Sequence, residues 1–254
     1  MKFEHIDVRL SDPVATITLD RPAKLNAITL TMLSELIEAA ERIAESDART
    51  VVLSGTGSSF SAGMDIKTFS AGALLEPDAE LRYEAATLGG RAAAALENMP
   101  QIAIAALCGH VVGGGIVLAA ACDLRIAEEG TIFSIPEVDI GIPLAWGGIE
   151  RLVREIGPAR TKELVLTCRP FSAEEAHHAG FVTSIVGRGE APGAAMELAE
   201  TIASKSRFAV TTTKRHVAEI LKGDLSRDDA FGLVAALDDP AWLRHRDSYL
   251  EQFN

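Results

Sequence analysis

Three stretches of this chain gather residue types that could move protons or hold a developing negative charge. The first, Ser54 to Ile66 (Ser-Gly-Thr-Gly-Ser-Ser-Phe-Ser-Ala-Gly-Met-Asp-Ile), is rich in small residues, so its backbone can come close to a ligand. A plain flexible connection would have the same composition. The second, Gly109-His-Val-Val-Gly-Gly-Gly115, opens an apolar helical run, and exposed N–H groups at such a junction suit an oxyanion. Tight packing of helix on strand is the structural alternative. The third, Phe133 to Pro143, sets Glu137 and Asp139 in an otherwise apolar run. A carboxyl withdrawn from water has a raised pKa and is suited to taking and returning a proton near neutral pH, whereas at a solvated edge both would be ordinary surface acids.

Other chemistries are poorly supported. Gly55-Thr-Gly57-Ser-Ser-Phe60 puts Phe where a dinucleotide-binding fingerprint needs its third glycine, and no Gly-Lys-Ser/Thr marks a phosphate loop. The three cysteines, Cys108, Cys122 and Cys168, are an odd number without CxxC spacing, so reduced core thiols are expected. His177-His178 reads as a solvated pair.

These stretches need elements to hold them. Val14 to Leu19 alternates as a strand does, and Thr50 to Ser54 and Ile102 to Leu107 are short buried runs. Between the first two, Thr31 to Ser46 puts Met32, Leu33, Leu36, Ile37, Ala40, Ile43 and Ala44 on one helical face. Strand, helix and strand at this spacing predict parallel β-α-β units. Past residue 145, helices are expected at 147–156 and 159–167, and from the capping box Ser172-Ala-Glu-Glu175 to Gly180, with a strand returning at Phe181 to Val186. Gly187 to Gly193 reads as a linker, and everything beyond it as helix, including a last helix started by Asp239-Pro240. A helical appendix of about 60 residues buries its apolar faces poorly alone and is expected to pack on the core or on a neighbouring subunit.

Composition narrows the partners. The chain has 254 residues, 48% hydrophobic and 24% charged, which suits a folded globular protein and excludes wholesale disorder or a fibrous repeat. Its 36 acidic against 24 basic side chains give a net charge of −12, so neither nucleic acid nor an anionic membrane is an expected partner. Residues 102–122 carry no formal charge and are long enough to span a bilayer, but their four glycines and central His110 predict a buried strand, turn and helix instead. No export signal is read at Met1 to His5, and a cytoplasmic location is expected.

In their order and spacing, these stretches resemble the crotonase family, the enoyl-CoA hydratase/isomerase superfamily. The resemblance extends to Asp20-Arg-Pro-Ala-Lys-Leu-Asn-Ala27, Ala121-Cys-Asp-Leu-Arg125, Pro136-Glu137 with Gly141, and Ala173-Glu-Glu-Ala176 ahead of Gly180-Phe-Val182. It covers nearly the whole chain. It implies an α/β fold, with a spiral of β-β-α repeats forming the catalytic core over residues 1–190 and a C-terminal helical region over 191–254 that assembles trimers, often paired as hexamers. The implied substrate is an acyl-CoA thioester, with coenzyme A part of the substrate and no separate cofactor or metal.

Position by position, the resemblance makes the N–H groups of Met64 and Gly114 the donors to the thioester oxygen and Glu137 the acid/base. Lys24, Leu25 and Ala62 to Ile66, with Asp65 and Lys67, look like the adenine and phosphate side of the CoA site. Typical hydratases of the family carry another glutamate two residues after the glycine triplet. Here that position is Val117, which cannot hold or activate a water. Eight residues after Glu137, where other members place an aspartate, stands Ala145. One carboxylate suffices to shift a double bond from a 3-enoyl to a 2-enoyl thioester through a dienolate, and this is the expected reaction. A hydratase using Asp139, whose side chain an extended segment would send the same way as that of Glu137, is one alternative. A non-catalytic acyl-CoA binding protein is another. Ile142 and Trp146 are read as lining of the acyl pocket or as core.

Overall fold

The computed structural model describes residues 3–65, 67, 77–223 and 229–251. Its first half contains β1 (Ile6–Arg9), β2 (Val14–Leu19), α1 (Leu30–Ala44), β3 (Thr50–Gly55), α2 (Ala79–Asn98), β4 (Ile102–Leu107), β5 (His110–Val112) and α3 (Gly114–Ala120). Then come β6 (Leu124–Glu128), β7 (Ile132–Ser134), α4 (Gly148–Thr167), β8 (Phe171–Ser172), α5 (Ala173–His178) and β9 (Ser184–Val186). Helices α6 (Ala191–Ala203), α7 (Arg207–Leu221), α8 (Asp229–Asp238) and α9 (Trp242–Glu251) follow.

Six strands form a sheet in the order β1-β2-β3-β4-β6-β9, and three form another in the order β5-β7-β8. All neighbours are parallel except β1-β2 and β7-β8. The chain spirals: β4, β5 and α3 make one turn, β6, β7 and α4 the next, and each turn gives one strand to each sheet.

Burial on both faces explains why β3 and β4 read as continuous apolar runs. Val51, Leu53, Ala103, Ala105 and Leu107 face one core with α1, α2 and α3, while Val52, Ile104 and Ala106 face the other. The second core is closed by Ala191, Ala195 and Ala199, one stripe of α6 at a spacing of four. Residues 187–193, expected as a linker, are therefore a short turn that runs straight into this helix. The strand expected from Phe181 starts only at Ser184, because Phe181 and Val182 are buried as turn residues behind α5. The helices expected at 147–156 and 159–167 are the two halves of α4, which kinks between them at Gly157 (φ 75°), ahead of Pro158. Residues 102–122 resolve into β4, β5 and α3, and among the described residues no helix is long and apolar enough to cross a membrane. Helices α7 and α9 bury no residue, and with α8 they expose Val217, Ile220, Leu233, Val234, Leu243 and Leu250.

Candidate active site

The loop after β3 is held by a buried polar clamp. Asn26, fully buried with φ 53°, donates from Nδ2 to the carbonyls of Thr56 (2.9 Å) and Ser59 (2.8 Å), and its own carbonyl accepts from Ser61 Oγ (2.9 Å). Gly63 adopts φ 83°, and a Cβ there would stand 2.9 Å from the Val112 carbonyl, so only glycine lets the loop close on β5. The next residue, Met64, bridges Ile28 in parallel: Ile28 N donates to the Gly63 carbonyl and Asp65 N to the Ile28 carbonyl, both at 2.8 Å. Because the flanking residues make those bonds, the Met64 N–H points to the opposite side.

Gly113 has φ 47° and donates from N to the Ser134 carbonyl (2.9 Å), which ties the glycine triplet to β7. Gly114 follows as the first residue of α3, where a backbone N–H has no partner within the helix. Glu137 comes from the turn after β7, closed by Ile142 N donating to the Glu137 carbonyl (3.0 Å). The segment 137–141 is a turn, not extended chain. Asp139 is consequently exposed while Glu137 is half-buried, so the two acids do not face the same way. Burial pushes the Glu137 carboxyl above the usual glutamate range, only partly offset by its own backbone N–H. Its Oε2 is buried without a hydrogen-bond partner among the described residues.

Met64, Gly114 and Glu137 share the wall of a cavity of about 140 Å³. Val117, Ile142 and Trp146 line it too, as do Leu30, Ala85 and Leu144. Val117 is buried on α3 and packs towards Gly148, where a Cβ would stand 2.8 Å from its Cγ2. The carboxylate is the only ionisable group on this wall among the described residues. Two wider clefts beside α7, of about 430 and 570 Å³, contain neither Glu137 nor the glycine triplet.

The remaining expected residues lie outside this cavity. Lys24, Leu25 and Lys67 are exposed, and Ala62 N donates to the Leu25 carbonyl (2.8 Å), which brings the two loops together. The Asp65 carboxylate pairs with Arg21 (3.1 Å) and accepts from the Lys67 N–H (3.1 Å). Burial raises its pKa, but those two contacts outweigh it and hold the carboxyl below the usual range. Ile66 falls outside the described residues. Three contributors carried no motif in the sequence. Gly89 on α2 admits the Trp146 ring; Arg151 and Glu97 form a half-buried pair at 2.5 Å, and Arg151 also donates to the Trp146 carbonyl (2.9 Å). A glycine in mid-helix was the available signal for the first.

Two N–H groups and one desolvated carboxylate on an apolar cavity can stabilise a charged oxygen and shuttle one proton beside it. Comparison with known proteins gives the family. The family model described as enoyl-CoA hydratase/isomerase matches residues 9–231. A Bacillus subtilis protein named after the same family is 38% identical over 221 residues, 85% of this chain and 82% of the relative. The crotonyl-CoA hydratase of Syntrophomonas wolfei is 32% identical over 246 residues, 94% of this chain and 93% of the relative. Among solved structures, the enoyl-CoA hydratase of Bacillus anthracis superposes with a TM-score of 0.81 at 32% identity, covering 98% of this chain and 96% of that one. The chain belongs to the enoyl-CoA hydratase/isomerase family, the crotonase superfamily.

Proposed function

We propose that this acyl-CoA enzyme shifts a double bond, converting a 3-enoyl-CoA into the conjugated 2-enoyl-CoA. The observation that carries the reading is the solitary Glu137 carboxylate: the wall position two residues past the glycine triplet is Val117, and Asp139 faces solvent. Glu137 removes a proton from C2. The electron pair passes into the thioester oxygen, giving a dienolate held by the N–H groups of Met64 and Gly114. Each such donor is worth roughly 3 to 4 kcal/mol in a transition state. The protonated Glu137 then returns the proton at C4, and the new double bond lies between C2 and C3. Its raised pKa favours the first step, since a carboxylate whose conjugate acid is weaker is the stronger base. The CoA moiety is the only other group this chemistry needs. Lys24 and Lys67 supply positive charge for its phosphates, and Leu25 and Ala62 flank its adenine. A homotrimer, alone or paired as a hexamer, covers the apolar side chains of α7 to α9.

One observation favours hydration instead: the Syntrophomonas wolfei relative is named a crotonyl-CoA hydratase. Hydration requires a positioned water and a proton delivered to the neighbouring carbon, which two acids manage most easily. Incubation with trans-3-hexenoyl-CoA, followed by absorbance of the conjugated thioester, tests the proposal. Turnover by the wild type and a loss of at least about 100-fold in Glu137→Gln are expected. No turnover, or equal turnover by the variant, refutes it.

A further inference from the structure

We propose that Trp146 sets the length of acyl chain this enzyme accepts, limiting it to short groups of about four to six carbons. The proposal rests on the acyl-CoA reading above and narrows it. The indole fills the space between α2 and α3, and each helix presents a glycine to it. A Cβ on Gly89 would stand 1.9 Å from Cε2, and one on Gly114 would stand 2.4 Å from Cζ3. Neither helix leaves room for a side chain where the ring passes. A chain directed past Glu137 therefore ends on the indole.

The ring is also held in place. Trp146 (φ 59°) and Gly147 (φ 70°) are consecutive left-handed residues, a conformation a bulky side chain adopts only when its surroundings impose it. Arg151 imposes it by donating from Nη1 to the carbonyls of Trp146 (2.9 Å) and Gly147 (3.3 Å). The same guanidinium pairs at 2.5 Å with Glu97. Glu97 lies on α2, the helix that contributes Gly89, so one ion pair anchors the turn to the surface the ring rests on. What remains is a cavity of about 140 Å³ with the apolar walls Ile142, Leu144 and Ala85. A cavity of about 150 Å³ is the size that takes one benzene ring.

Calorimetric titration with the saturated series butyryl-, hexanoyl-, octanoyl- and decanoyl-CoA tests this without depending on turnover. Wild-type affinity is expected to rise about fourfold per added methylene as far as hexanoyl, then to level off or fall. Trp146→Ala opens the way towards Gly89, so the rise should continue through decanoyl. Trp146→Phe, which keeps an aromatic ring between the helices, should extend it partway and decides the matter if the alanine variant does not fold by circular dichroism. A wild-type rise that continues to decanoyl, or a folded variant with the wild-type profile, overturns the proposal and leaves the acyl-CoA reading standing. Failure of the wild type to bind any of the four thioesters overturns that reading and this proposal with it.

Discussion

The Glu137 carboxylate rests on Gly113: a Cβ at that glycine would stand 2.4 Å from Oε1. Gly113 also holds φ 47°, so its lack of a side chain serves both the backbone and the carboxylate. Gly113→Ala is expected to displace Glu137 and to cost about 1 to 3 kcal/mol of stability from backbone strain. Thermal unfolding together with 3-hexenoyl-CoA turnover reads both effects. Wild-type values for both would show that the carboxylate is not placed by this contact.

The raised pKa of Glu137 makes two predictions of opposite character. A base must be ionised, so kcat/KM should fall as pH is lowered through a value above the usual carboxylate range. Stability runs the other way. A carboxyl whose folded pKa exceeds its unfolded pKa stabilises the fold when protonated, and that contribution is lost as pH rises through the folded pKa. Glu137→Gln should therefore melt higher than the wild type at neutral pH, with the gap closing in acid. A gap that widens in acid would contradict the assigned direction.

Gly89→Ala places a methyl group where the Trp146 ring now lies. Overpacking of this kind costs about 1 to 3 kcal/mol, and the displaced ring moves towards the cavity. Affinity for hexanoyl-CoA should drop more than affinity for butyryl-CoA. Equal losses for the two would mean that the ring is not part of the acyl wall.

Glu97 takes Arg151 at 2.5 Å and Arg154 at 2.6 Å. Burial raises its pKa, but the two guanidiniums outweigh it and hold the carboxyl below the usual range. Glu97→Gln leaves Arg151 without a carboxylate and Arg154 with only Glu155, at 3.6 Å, and is expected to cost up to about 3 kcal/mol, the lower end for a broken buried pair because Glu97 stays partly exposed. Since the folded pKa is depressed, the wild-type contribution is present above the unfolded pKa and disappears as pH falls through the folded one. The difference in Tm between wild type and variant should shrink in acid, and a constant difference would count against the ion pair.

Much of this was legible in the amino-acid sequence because local chemistry and fold agree there. The apolar runs of β3 and β4 and the Ser172 cap announce their elements directly, and Ser172 Oγ does accept from Glu175 N at 3.2 Å. Glu137 stood out as an acid in an apolar run. Asp139 lies in the same run, and the turn at 137–141 is what sends the two side chains apart, because side-chain direction depends on backbone dihedrals that composition leaves open. The linker expected at 187–193 failed for a related reason: Pro192 and Gly193 look like breakers, yet a proline is tolerated in the first turn of a helix whose alanine face packs on a sheet. The Gly89–Trp146–Gly114 sandwich joins residues far apart in the chain, and the glycine in mid-helix at 89 is a local sign that gives no hint of its partner.

The partition between the two reactions tests the solitary carboxylate most directly. Purified protein would be given trans-3-hexenoyl-CoA and crotonyl-CoA separately in deuterated buffer, with products followed by NMR for wild type and Glu137→Gln. Migration of the double bond should outpace addition of water in the wild type, and both should collapse in the variant. Faster hydration than isomerisation, or isomerisation that survives in Glu137→Gln, would contradict the claim that one glutamate carries this site's chemistry.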